Sequence, residues 1–173
     1  MMARERIVSV MGAVLALVFQ VLLAPHISVG FAVPNFLLVW CMVVAVARAG
    51  SAGPLLPFIL GLLYDLISGG PVGAMAFTAT AISTLASALF RRMNNDTVFI
   101  AVFVLLVGMF LAEFVYGMFF LMFGYAAGFL EAFVYRIFPC FIYDTILAVI
   151  LYFASSRFMQ PEAPFTSEIR HLQ

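Results

Sequence analysis

The stretch PLLPFILGLLYDLISGGPVG, residues Pro54–Gly73, decides how this chain is read. It opens as an apolar run, carries a single carboxylate at Asp65, and then breaks into Ser68, Gly69, Gly70, Pro71 and Gly73. A helix does not continue through Gly-Gly-Pro, because glycine is conformationally loose and proline lacks an amide donor. Asp65 therefore falls about one turn before a forced helix end, at the edge of whatever medium buries Pro54–Ile67.

Composition names that medium. Hydrophobic residues make up 66% of the 173-residue chain and charged residues only 9%, too little polarity to clothe a soluble domain. The medium is lipid. Eight arginines balance eight acids and no lysine is present, so a net charge of zero gives no sign of nucleic-acid binding. Cys41 and Cys140 lie inside apolar runs and read as small hydrophobes, with neither a disulfide framework nor a metal site indicated.

Outward from Pro54–Gly73, the hydrophobic pattern predicts an all-α, polytopic membrane protein of six spans, at about 7–24, 31–47, 54–67, 72–90, 98–123 and 137–153. They form one membrane domain over residues 1–157, with a polar, disordered tail at 158–173. The lead with Arg4 and Arg6 followed by an apolar run also fits a secretory signal. The run is long for that, and Ala24-Pro25-His26 makes a poor cleavage site, so it reads as a retained helix. Gln20 near its end is expected to be a satisfied polar group inside the bundle. Pro34-Asn35 predicts a bent or late start to the second span. The third, at 14 residues or ~21 Å, is short for a hydrocarbon core of ~30 Å. It must be wrapped in protein, thin the bilayer, or stop short. Ala79, Ser83 and Ser87 form a small-residue stripe on the fourth span that suits close helix approach. Tyr125–Arg136 reads as an amphipathic connector, and the Gly124/Gly128 spacing is too common in membrane chains to carry weight.

With the N-terminus inside, six spans put Arg4, Arg6, Arg48, Arg91, Arg92, Arg157 and Arg170 on the cytoplasmic side and only Arg136 outside, as the positive-inside tendency requires. Both termini are then cytoplasmic and Ser68–Gly73 faces out. In that topology Asp65, Glu113, Asp144 and Arg136 share the outer level. An acid facing lipid at mid-depth costs roughly 2.5–3.5 kcal/mol, so these groups should face the bundle, a partner or water. Three readings stay open: mutual pairing that fixes packing, a partner-binding surface, or a solute site. Asp65, just before the break, can reach back into the bundle or meet the turn's amide groups; because it lies against the negative end of its own helix, its charge is expected to be answered by Arg136 or by a partner's donor. Gly69, Gly70 and Gly73 are expected to form a tight turn with positive φ. Tyr-Asp recurs at Tyr64-Asp65 and Tyr143-Asp144, too short a match to claim a repeat.

No catalytic pattern accompanies these residues. Gly69–Gly73 lacks the Gly-Lys-Ser/Thr end of a phosphate loop. His26 and His171 lie at opposite ends of the chain, no serine sits in a nucleophile elbow, and no acid, cysteine and histidine share ligand spacing. An enzyme is not expected, nor a cofactor or metal.

The run from Leu60 to Gly73, with its constellation Gly61, Asp65, Gly69, Gly70, Pro71 and Gly73, resembles the MreD family, the rod shape-determining membrane proteins of bacteria. Pro34–Val39 and Pro139 with Tyr143-Asp144 support the likeness, which covers about Arg4–Arg157; Asp144 stands where a neutral asparagine is more usual. The resemblance implies a non-enzymatic inner-membrane subunit of the cell-elongation (rod) complex. Its implied partners are an MreC-like bitopic scaffold, an MreB-like filament, and the glycan polymerase and transpeptidase of lateral wall synthesis. It also implies a fold similar to the substrate-binding subunits of energy-coupling-factor transporters. That kinship supplies the alternative function, a solute-binding subunit of a vitamin transporter, which would need an enclosed, polar-lined outer cavity.

Overall fold

A computed structural model describes residues 2–28, 33–49, 53–93, 98–126 and 128–159. All its regular elements are helical: α1 (Met2–Leu22), α2 (Phe36–Ala47), α3 (Leu55–Ser68), α4 (Ala74–Arg92), α5 (Val98–Met122), α6 (Phe129–Ala132) and α7 (Phe138–Met159). A π turn over Phe133–Ile137 joins α6 to α7, so that these three run on as a single rod. Six rods result. The segment expected to be a connector, Tyr125–Arg136, is helical from Phe129 onward. The last rod therefore starts well before residue 137, and Pro139, expected in the first turn of the last span, lies inside the rod two residues past the π turn, where the helical hydrogen-bond pattern is already interrupted.

The short central helix α2 organises the packing. Its sequence FLLVWCMVVAVA has no polar residue on any face, and every side chain from Phe36 to Val46 is buried. A helix apolar all round belongs at the centre of a bundle. At 12 residues, or ~18 Å, it is too short to cross a bilayer alone, and it is α1, α3, α4, α5 and α7 that pack around it. The late start suggested by Pro34-Asn35 is realised: Asn35 caps α2, its side chain accepting from the Leu38 amide at 3.0 Å.

The surface has the opposite polarity to that of a soluble protein. On α1, the inward stripe is Ser9, Ala13, Ala16 and Gln20, while Val10, Met11, Val14 and Val18 point out. Small and polar side chains face the bundle, and large apolar ones face the surroundings, as lipid demands. Gly12 lies so close beneath Trp40 that a Cβ there would meet the indole at 1.9 Å, and Trp40 donates to the Ser9 carbonyl at 3.0 Å. Ala79, Ser83 and Ser87 of α4 are all buried. Among the described residues, three stretches are long and apolar enough to cross a membrane, Ala74–Arg92, Val98–Met122 and Phe129–Ser155; Ile7–Leu22, α2 and α3 are shorter. Of the tail expected to be disordered at 158–173, Phe158 and Met159 complete α7, and the remainder lies outside the described residues.

Candidate functional site

The ends of α1, α3 and α5 meet the starts of α2, α4 and α7 at one end of the bundle, and the sequence-predicted residues gather there. The turn after α3 is built as its glycines require, with one change. Gly69, at φ 66°, ends α3 in the left-handed conformation, and Gly73, at φ 91°, starts α4. Both positions favour glycine over any residue with a Cβ. Gly70 does not share that conformation. Its constraint is space: a Cβ there would sit 2.6 Å from the Tyr116 hydroxyl and 3.1 Å from Phe120. Gly61 answers a different need, the close approach of α3 to α4, where a Cβ would lie 2.6 Å from the Ala76 backbone.

Asp65 does not take Arg136 as its partner. Its carboxylate accepts from the backbone amides of Gly73 at 2.9 Å, Met75 at 3.0 Å and Ala76 at 3.2 Å. The reason is local. The residue capping α4 is a glycine, which has no side chain to receive the first free amides of the helix. Asp65, one helix earlier, supplies the missing acceptor. The dipole at the start of α4 then favours the negative charge that the end of α3 disfavours. No distant cation is needed.

Asp144 does the same for α2. Its Oδ1 accepts from the Asn35 amide at 2.9 Å, while Gln20 accepts from the Phe36 amide at 2.8 Å and donates to the Pro34 carbonyl at 3.2 Å. The start of the central helix is thus held by side chains from α1 and α7. Tyr143 adds a bond to the Ile27 carbonyl at 3.0 Å. The two Tyr-Asp pairs, which sequence gave no ground to link, each put an aspartate at the N-terminus of another helix.

Glu113, Asp144 and Arg136 come together; Asp65 turns away from them. Glu113 and Asp144 are 2% and 0% exposed, and their carboxyl groups and the Arg136 guanidinium lie within one another's electrostatic reach. Asp144 meets the Glu113 carboxyl group and Tyr116 meets Ser68 within hydrogen-bonding reach, while Arg136 Nε finds no hydrogen-bond partner. The guanidinium is clasped by aromatic faces instead, with its central carbon 3.7 Å from the Phe120 ring centroid and 4.8 Å from that of Tyr116. Its position depends on the π turn: the Phe138 amide bonds the Phe133 carbonyl five residues back. Such widened turns recur at functional sites.

Glu113 and Arg136, but not Asp144, line a cavity of about 270 Å³, to which Tyr64 and Tyr116 add polar wall and Ala24, Val33 and Phe120 apolar wall. Ser68 and Cys140 also line it. The participation of Tyr116 was open to sequence reasoning, since it lies three residues after Glu113 on the same helical face. That of Tyr64 and Cys140 carried no such signal. Among the described residues, no group of three or more His, Cys, Asp or Glu side chains could hold a metal ion.

Helices with lipid-facing apolar surfaces, polar groups turned inward and helix starts capped from neighbouring helices define an integral membrane protein. The family model described as MreD, rod shape-determining protein MreD, matches residues 3–161, nearly the whole chain. The chain belongs to the MreD family. Neither a curated protein nor a solved structure matches it.

Proposed function

We propose that this protein is a non-enzymatic membrane subunit of the bacterial elongation complex, coupling the cytoskeletal filament and its scaffold to lateral peptidoglycan synthesis. The family match over residues 3–161 is the observation that carries the reading. The partners follow from it: an MreC-like bitopic scaffold, an MreB-like filament, and the glycan polymerase and transpeptidase of the lateral wall. The arrangement of the chain suits such a role. Its helix starts are locked by Asp65, Asp144 and Gln20, giving a stiff platform with a broad apolar surface for partner helices in the bilayer.

Six crossings with both termini in the cytoplasm are part of the proposal, supported by the seven-to-one split of the arginines. The transporter-subunit alternative draws support from the polar cavity, and the family favours the rod complex. Co-purification tests the choice. Tagged chain solubilised in mild detergent should bring down the MreC-like scaffold in stoichiometric amount. Recovery of the chain with an energy-coupling ATPase module instead would overturn the reading.

A further inference from the structure

The cavity beside Arg136 is built as a two-signed site. Glu113 and Arg136 both line it, with Asp144 hydrogen-bonded to Glu113. Burial of charge in a membrane protein is costly unless something answers it, and here Arg136 Nε is left without a hydrogen-bond partner. Tyr116 and Ser68 also line the cavity. The guanidinium is immobilised on Phe120 and Tyr116, which leaves it preorganised rather than folded onto the acids. A volume of about 270 Å³ equals on the order of nine waters at ~30 Å³ each, just under the ~300 Å³ where small-molecule pockets begin.

We propose that this cavity binds a small zwitterion, with its ammonium group toward Glu113 and its anionic group toward Arg136. A simple cation would leave Arg136 unanswered, and a simple anion would add to two carboxyl groups already in place. A molecule carrying both charges a few ångströms apart answers each wall. Such a ligand could come from the aqueous phase or from the headgroup of a phospholipid bearing a primary amine, and the two sources share this chemistry. The inference stands independently of the rod-complex reading, since a platform can serve its partners with the cavity filled or empty.

The test uses full-length protein in nanodiscs of phosphatidylglycerol, which carries no ammonium. Thermal unfolding is followed with millimolar phosphoethanolamine, with ethanolamine alone, with inorganic phosphate alone, and after replacing part of the lipid by phosphatidylethanolamine. Binding to the native state raises the midpoint. A rise with free phosphoethanolamine marks a soluble ligand; a rise with phosphatidylethanolamine only marks a headgroup. Either supports the site, provided the Arg136→Gln and Glu113→Gln proteins bind at least tenfold more weakly. If either variant fails to fold, the Glu113→Asp and Arg136→Lys proteins, which keep each charge and shift its position, take its place and should likewise bind more weakly. No rise under any of these conditions would overturn the proposal. Equal effects from ethanolamine or phosphate alone would overturn it as well, because two-point recognition would be absent.

Discussion

Asp65 shows how a single carboxylate can replace the cap that a glycine cannot provide. Its three amide partners are the opening donors of α4, and the helix dipole adds about 0.3–1 kcal/mol, up to ~2 where partly buried. Asp65→Asn keeps an acceptor and loses the charge, so it should lower stability by about 1 kcal/mol. Asp65→Leu removes every acceptor and strands buried amides at about 1–3 kcal/mol each; a loss of ~3 kcal/mol or more is expected. Denaturation midpoints in micelles measure both, and an Asp65→Leu protein as stable as wild type would contradict the capping role. The presence of Asp65 before a helix break was legible in the sequence, and so were the turn's amides as possible partners; that the amides of α4, and not Arg136, answer its charge was not. An aspartate near the end of one helix is judged against that helix's own dipole, and only the fold shows that the next helix starts beside it. Glu113 and Asp144 were legible as inward-facing acids because lipid forbids the alternative. That Asp144 reaches Asn35, 109 residues away, lies beyond any local pattern.

At the scale of elements, close approach rather than backbone freedom explains several glycines. A methyl at Gly61 would meet the Ala76 backbone at 2.6 Å, and backbone cannot swing aside as a side chain can. Gly61→Ala should therefore separate α3 from α4 and cost about 1–3 kcal/mol, the usual range for overpacking. Gly128→Ala is the matched control: its φ of −165° is extended and nothing lies within 4 Å of the added carbon. It should stay within about 0.5 kcal/mol of wild type. Thermal melts of the two proteins decide it, and equal melting points would contradict the account of α3–α4 packing. The helices themselves were readable because long apolar runs separated by Gly, Pro and Asn leave few alternatives. Central burial of α2 follows from a run with no polar face. The π turn was not readable: Phe133–Ile137 carries no proline or glycine to mark it. It arises where the rod meets α5, with Ile137 close enough to Gly117 that a Cβ there would lie 2.4 Å from it.

For the whole molecule, the arginine distribution makes orientation testable. In protein lacking Cys41 and Cys140, a cysteine at Ser68→Cys should react with an impermeant reagent added outside intact spheroplasts. Reaction only after permeabilisation would invert the topology. The claim that matters most is that this chain, as a member of the MreD family, maintains rod shape. Its most direct measurement is cell width and length by microscopy while the chain is depleted from a rod-shaped cell in which it is the sole MreD protein. The account predicts progressive widening and rounding, reversed by wild-type chain and not by Asp65→Leu. Cells that keep their width and rod form through complete depletion would contradict it.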